Sequence, residues 1–413
     1  MSEFFDILET RPPEQREAEL FTLLSAQIAH AQQQAPAIAE LLAGVDAATM
    51  TRRSALETLP LLRKSALIER QQQQPIFGGL TALAPPALAQ IFASPGPIFE
   101  PGARRPDFWR FGRALYAAGF RSGEIVHNCF SYHFTPAGMM FEAGALALGC
   151  AVVPAGVGQT EQQVQVMAHV RPQGYVGTPS FLKLILDKAD ELGVDLSCLS
   201  KALVSGEYLP PSLRETFAGR GIAVLQCYAT ADLGLIAYES PAREGMIVDE
   251  GIILEIVRPG TGDPVAEGEV GEVVVTSLSA EYPLIRFATG DLSAILPGVS
   301  PCGRTNRRIK GWMGRADQTA KVRGMFVHPS QIAQVLKQHP EIIKGRLVVE
   351  RRDGADAMTL HCELAGKAAA SLAEAVSATI RKVCNLRGEV VFAPVGSLAN
   401  DGKVIDDLRP IDA

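Results

Sequence analysis

Three segments in the second half of the chain combine glycines, a carboxylate and a cation in an order that chance rarely supplies. The first is Tyr282-Pro283-Leu284-Ile285-Arg286-Phe287-Ala288-Thr289-Gly290-Asp291-Leu292, which reads as a strand ending on a Gly-Asp turn. An ionised aspartate held there offers two acceptor oxygens, which suits the paired hydroxyls of a ribose. A loop with a surface aspartate is the plainer alternative. The second segment is Gly314-Arg315-Ala316-Asp317-Gln318-Thr319-Ala320-Lys321-Val322-Arg323-Gly324-Met325-Phe326-Val327. The third, Gly396-Ser397-Leu398-Ala399-Asn400-Asp401-Gly402-Lys403-Val404-Ile405, brings Lys403, which taken alone reads as a solvated terminal-loop lysine. His133, in Ser131-Tyr132-His133-Phe134, can serve a binding pocket or be a hydrogen-bonded buried histidine. Arg104 and Arg105 read as solvated surface or as a clamp for phosphate oxygens, which guanidinium groups bind in pairs.

Those residues need a scaffold. Pro12-Pro13 followed by residues 14–31 predicts a helix with a charged start, and the tract Gln71 to Gln74 reads as a solvated helix end. From Phe108 the texture alternates between helix and strand. Helices are expected at 107–118, 137–148, 179–192 and 211–218, with strands at 124–130, 151–153, 175–177, 202–204 and 222–227. Thr160 and Gln163 have capping-box spacing at the start of one more helix. Alternation of this kind implies a parallel sheet covered by helices on both faces. Near Gly245 the pattern changes to strands at 252–257 and 272–278, separated by Pro259-Gly260-Thr261-Gly262-Asp263-Pro264, a strong turn signal for a small, mostly antiparallel sheet. After Gly314 a small α+β domain is expected, with a hinge among the glycines and charges of 311–317. The fold class is therefore α/β, with a large domain at 1–313 and a small α+β domain at 314–413.

A chain of 413 residues, 47% of them hydrophobic, suits two or three domains with sizeable cores. Its net charge of −6 argues against nucleic acid or an anionic membrane as partner. The N-terminus lacks the basic and apolar runs of a signal peptide. The most apolar stretch, Met139 to Val157, is interrupted by Glu142 and Pro154, so it reads as a buried helix running into a buried strand, not a membrane span. Seven scattered cysteines without a CxxC pair fit a reducing cytoplasm.

Taken together, the chain resembles the adenylate-forming superfamily and, within it, the phenylacetate–CoA ligase family. The resemblance runs over nearly the whole chain. Glu9-Thr10-Arg11, Leu59-Pro60-Leu61-Leu62-Arg63-Lys64 and Phe77-Gly78-Gly79 look like that family's N-terminal region. It implies a large N-terminal domain and a small C-terminal domain that rotates between two half-reactions, with ATP, Mg²⁺ and coenzyme A as cofactors. Tyr132, His133, Ala155 and Gly156, with the nearby Gly158-Gln159-Thr160 segment, would line the acyl pocket. Gly206 and Glu207 would form the adenine-contacting turn, and Tyr228 would stack on adenine. Asp232 would help hold Mg²⁺ through the nucleotide, Asp291 would bind the ribose, and Arg315 would join the nucleotide site. Asp317 would be the hinge, Gly324 would line the pantetheine path, and Lys403 would place its cation against the α-phosphate and the acyl carboxylate.

The sequence departs from the family in three places. Its phosphate loop should be a Ser/Thr/Gly stretch ending in Lys-Pro, which offers N–H groups, hydroxyls and a cation. Here it reads Ala93-Ser94-Pro95-Gly96-Pro97-Ile98-Phe99-Glu100-Pro101, where only Ser94, Gly96 and Pro101 match, two prolines remove donors, and Glu100 replaces a lysine. Ala231 replaces a hydroxyl residue. Ser240 and Ser300 stand where relatives that bind zinc carry cysteines, and Cys302 alone cannot make a structural zinc site, so no zinc is expected. The expected reaction is acyl-AMP formation from a small carboxylic acid of aromatic, phenylacetate-like type, then transfer to CoA, in a soluble enzyme with a homodimer as the default assembly. One alternative is a non-catalytic homologue that binds a nucleotide or acyl compound, because the loop is degenerate. Another is a ligase that delivers its adenylate to a carrier protein. In either catalytic case, Arg104 or Arg105 is expected to supply the phosphate-directed charge that the loop has lost.

Overall fold

Apolar β-branched runs alternating with amphipathic helices build the larger part of the molecule. The structure, a computed structural model, describes residues 3–94, 98–316, 320–323, 325–352, 355–364, 366, 371–399 and 403–409. The chain divides into two compact units. One comprises Met1–Leu254, Val275–Phe287 and Leu296–Gly311; the other comprises Glu255–Val274, Ala288–Ile295 and Trp312–Ala413.

In the larger unit a mixed sheet runs Arg308–Ile309, Met246–Val248, Gly234–Glu239, Ala223–Thr230, Lys201–Val204, Gly174–Gly177, Ile125–Asn128, Ala151–Pro154. The strands from Ala223–Thr230 to Ala151–Pro154 pair in parallel. The helix Pro179–Leu192 shows why the local sequence folds this way. Pro179 opens it, Thr178 Oγ1 caps the Phe181 N–H, and Gly193 closes it at φ +64°. Its Leu182, Ile185, Leu186 and Ala189 stripe packs with Tyr175, Ala202 and Val204 in one buried cluster.

The helix expected at 107–118 begins at Phe111, because Asp107 and Arg110 take left-handed backbones (φ 45° and 66°) and Asp107 Oδ2 accepts the Gly112 N–H at 2.9 Å. Thr160–Val170 is a helix, but no side chain caps it, and Gln163 turns inward instead. Strand Ala151–Pro154 is an edge strand with exposed ends, not a buried one. Gln71 is buried and exchanges hydrogen bonds with the Phe99 backbone, so the glutamine tract is only partly solvated.

A four-stranded sheet orders Leu62–Arg63, Phe287–Ser293, Gly271–Ser277 and Ile252–Val257. Asp291 lies inside the strand Phe287–Ser293, not on a turn at its end; Gly290, at φ 77°, lets the strand continue through the bend.

The smaller unit contains a sheet ordered Glu389–Pro394, Ala355–Leu364, Ile342–Arg352, Ile405–Asp407. Helices Pro329–Lys337 and Leu372–Cys384 accompany it. Ile332, Val335, Leu347, Val349, Leu360, Val376 and Ile380 form its fully packed core. No helix among the described residues is long and apolar enough to cross a membrane.

Candidate active site

The larger unit holds a buried charge cluster. Strands Gln90–Ser94 and Ile98–Gly102 pair antiparallel, which sets Glu100 opposite Phe92. Ser94 Oγ donates to Glu100 Oε2 at 3.0 Å. Asp232 accepts a hydrogen bond on Oδ2 from Lys64 Nζ at 2.6 Å. Glu100 is 1% exposed and Asp232 6%. Burial pushes the Glu100 carboxyl up to about 7, and the negative charge of Asp232 adds to the rise. Burial, followed by the same two carboxylates, holds the Tyr282 hydroxyl well above its ordinary range. Glu100 Oε1, Asp232 Oδ1 and the Tyr282 hydroxyl have no hydrogen-bond partner among the described residues. Buried polar atoms rarely stay unsatisfied without a functional or solvent partner.

A stability test follows from Glu100. Its folded-state value of about 7 exceeds the ordinary 4.5, so its contribution is full below about pH 4.5 and is lost as pH rises through about 7. Glu100→Gln is therefore expected to flatten the fall in unfolding midpoint between pH 5 and 8, with a difference on the order of 2–3 kcal/mol. Parallel denaturation curves for wild type and variant over that range contradict the assignment.

The sequence by itself gives Lys64 no role. Lys64 stands beside Arg63 after the apolar run Leu59-Pro60-Leu61-Leu62, and nothing local points to Asp232. Arg105, by contrast, is taken up elsewhere: its Nε pairs with Glu281 at 2.9 Å and its guanidinium lies 5.0 Å from the Phe108 ring centre. Lys64 is a cation that acts on Glu100 and pairs with Asp232, and of the two expected clamp arginines Arg105 is engaged with Glu281 while Arg104 is exposed.

Tyr132, His133, Ala155 and Gly156 do come together. With Ser131, Pro154 and Val157 they line a cavity of about 340 Å³. The Tyr132 hydroxyl donates to Glu142 Oε2 at 2.7 Å and accepts from Asn128 Nδ2 at 2.7 Å. Gln163 Nε2 holds the cavity's loop through Gly156 O at 2.9 Å and Gly158 O at 3.1 Å, and its Oε1 lies 2.5 Å from His127 Nε2. This inward role explains why Gln163 does not close a capping box. His133 is exposed, with its ring edge-on to Phe134.

Tyr228 is buried on strand Ala223–Thr230. Gly206 sits at φ 80°, and Glu207 accepts the Ser180 N–H at 3.3 Å, so its carboxylate also serves the start of helix Pro179–Leu192. Ser300 Oγ lies 3.1 Å from Cys302 Sγ, and Arg304 donates to the same sulfur at 3.6 Å. Burial raises the Cys302 thiol, but hydrogen bonds from Ser240, Ser300 and Arg304 outweigh it and bring the value below the ordinary one.

In the smaller unit Asp291 Oδ1 accepts from Arg315 Nη1 at 3.0 Å and from Trp312 Nε1 at 3.1 Å. A side chain at Gly290 would meet Arg315 Nη2 at 2.8 Å, so the glycine permits this approach. Lys403 Nζ pairs with Asp406 at 2.7 Å, is 46% exposed, and lines a cavity of about 470 Å³ with Arg258, Glu269, Lys344 and Glu363. Gly96, Asp317 and Gly324 lie outside the described residues.

Residues 109–280 match the AMP-binding enzyme model, and 324–407 match the AMP-binding enzyme C-terminal domain model. The chain is 32% identical over 364 residues to a phenylacetate–coenzyme A ligase of Thermus thermophilus, covering 84% of this chain and 81% of that one. It is 32% identical to the Pseudomonas putida phenylacetate–coenzyme A ligase, covering 69% of this chain and 68% of that one. The fold is also that of 2-hydroxyisobutyryl-CoA ligase, solved with 2-HIB-AMP and CoA. That match has a TM-score of 0.72 at 24% identity, over 99% of this chain and 93% of the other.

Proposed function

The chain belongs to the phenylacetate–CoA ligase family of AMP-binding enzymes, and from that premise we propose that it is an AMP-forming acid–thiol ligase for an aromatic, phenylacetate-like acid. In the first step the acid's carboxylate attacks the α-phosphorus of ATP, giving acyl-AMP and pyrophosphate. In the second step the CoA thiol attacks the acyl carbonyl and AMP leaves. The similarity over 81% of the Thermus relative's length carries this reading.

Most of the catalytic advantage comes from positioning and from charge placed around phosphorus. Tyr132, His133, Ala155 and Gly156 hold the acyl group. Tyr228, Gly206 and Glu207 hold adenine, and Asp291, braced by Arg315, holds the ribose. Lys403 sets its ammonium against the α-phosphate, where negative charge grows. Lys64 supplies the cation that the loop has lost at Glu100, while Ser94 retains the loop's hydroxyl. This removes the main support for a non-catalytic homologue.

Asp232 Oδ1 and Glu100 Oε1 are buried oxygens without hydrogen-bond partners among the described residues, a donor chemistry that fits Mg²⁺. Asp232 and Glu100 would hold Mg²⁺ beside the triphosphate, where the ion would neutralise part of the phosphate charge. Zinc is not part of the proposal, since Ser240, Ser300 and Cys302 offer one sulfur. Segments 1–313 and 314–413 act as the fixed and rotating domains, with Asp317 as hinge and Gly324 on the pantetheine path. Seven free cysteines suit a reducing cytoplasm, and a homodimer is the default assembly. Product analysis with phenylacetate, ATP and CoA tests the class: AMP and the acyl-CoA thioester are expected, and ADP contradicts it.

A further inference from the structure

We propose that Arg346 and Glu363 are positioning residues for Lys403, fixing the backbone that carries it so that its ammonium is delivered to the α-phosphate. Resting on the ligase reading above, this assignment gives adenylation two residues outside the nucleotide and acyl sites. Lys403 stands just before a short edge strand. Ile405–Asp407 pairs in parallel with Ile342–Arg352, with Leu347 opposite Ile405 and Val348 opposite Asp406, and the Leu347 N–H donates to the Val404 carbonyl at 2.9 Å. Lys344 and Arg346, two residues apart, share one face of the longer strand. Gly345 faces the other way, where a side chain would meet Leu336 Cδ2 at 2.6 Å, so the strand passes close to helix Pro329–Lys337.

Arg346 donates from Nε to the Lys403 carbonyl at 3.2 Å and from Nη2 to the Ala399 carbonyl at 2.9 Å. Lys344 Nζ donates to the same Ala399 carbonyl at 3.1 Å and to the Leu398 carbonyl at 3.4 Å. Glu363, the cross-strand partner of Lys344, accepts the Leu398 N–H on Oε1 at 2.6 Å. Burial raises the Glu363 carboxyl, but hydrogen bonds from the backbone of Leu398, Gly396 and Ser397 and the Lys344 charge outweigh it and bring it below its ordinary value. Arg346 Nη1 also lies 3.9 Å from Asp406 Oδ2, while Asp406 Oδ1 takes the Lys403 ammonium at 2.7 Å. Arg346 thus addresses the lysine twice, at its carbonyl and at the carboxylate that holds its ammonium. When that ammonium turns to phosphate, Arg346 remains beside Asp406 as its counter-charge.

Arg346 is 8% exposed and Glu363 3%. Burying a guanidinium or a carboxylate costs stability unless its hydrogen bonds are made, and apolar residues often stabilise a fold as well or better. What the two charges add is direction, because a planar guanidinium holds two carbonyls in one set geometry. Both spend their bonds on the backbone that flanks or carries Lys403, at Leu398, Ala399 and Lys403 itself. Direction matters most for a single cation that must meet charge developing at phosphorus, where a misplacement of about 1 Å can cost on the order of a hundredfold in rate.

Single-turnover rates of both half-reactions, read beside backbone amide exchange in the full-length protein, test the role. Arg346→Met is expected to slow acid-dependent pyrophosphate release by about tenfold to a hundredfold, in the saturating rate and not in the half-saturating ATP concentration. Thioester formation from supplied acyl-AMP should stay within a small factor of wild type. Glu363→Leu should show the same split and speed exchange at the Leu398 N–H. Arg346→Lys and Glu363→Gln keep a donor or an acceptor and should recover part of the rate. Thermal midpoints check folding, and the two conservative variants carry the test if a larger change unfolds the chain. Wild-type pyrophosphate release in a folded Arg346→Met overturns the role, and so does an equal loss in both half-reactions. If wild type itself releases no pyrophosphate with any acid, the ligase reading falls and takes the role with it, an outcome distinct from an active wild type with indifferent variants.

Discussion

Lys403→Ala is expected to slow acid-dependent pyrophosphate release by on the order of a hundredfold or more, as the loss of a preorganised charge contact does elsewhere. Thioester formation from supplied acyl-AMP should stay within a small factor of wild type. The asymmetry follows from where charge develops. An ammonium against the α-phosphate serves adenylation, and the thiol attack on a finished acyl-AMP builds its charge at the acyl carbonyl. Lys403 is half exposed and pairs with Asp406, so its removal costs little stability and the kinetic effect can be read directly. Single-turnover assays of the two half-reactions provide the measurement. An equal loss in both removes Lys403 from the proposed role.

Lys64→Met is expected to weaken ATP use by a comparable factor, mainly through the KM for ATP, and to destabilise the protein as well. Lys64 Nζ sits 2.6 Å from Asp232, whose side chain is fully buried. Removing the cation leaves Asp232 and Glu100, two carboxylates in a low-dielectric site, without their nearest positive charge. Breaking a buried pair typically costs about 3–5 kcal/mol, and the 27% exposure of the Lys64 side chain lowers that figure here. Adding Asp232→Asn should restore much of the stability without restoring ATP use. That pattern separates a folding role from a phosphate-binding one. If the single variant keeps wild-type KM for ATP, the lost loop lysine is not replaced by Lys64.

Order along the chain made the family legible. Asp291, Arg315 and Lys403 lie in segments whose glycines and charges are local, and the α/β alternation follows from apolar periodicity within each element. What stayed hidden depended on distant partners. Lys64 meets Asp232 across 168 residues of chain, and no spacing rule relates them. Arg105 meets Glu281 across 176 residues, which local sequence does not show. Thr160 and Gln163 fit a capping box by spacing, yet the carbonyls of Gly156 and Gly158 need the Gln163 amide more. Pro154 ends a strand whose edge position depends on sheet order, which hydropathy does not encode. Gly290 suggested a turn because glycine marks turns; here it lets a strand pass close to Arg315.

The central claim is that this chain adenylates an aromatic acid despite its altered loop. Pyrophosphate release from Mg-ATP tests it most directly, measured across a panel of aryl and arylacetic acids without CoA and then with it. The account predicts release only in the presence of a matching acid, with turnover rising when CoA is added. No release with any acid, together with equal affinity for ATP and AMP, would contradict it.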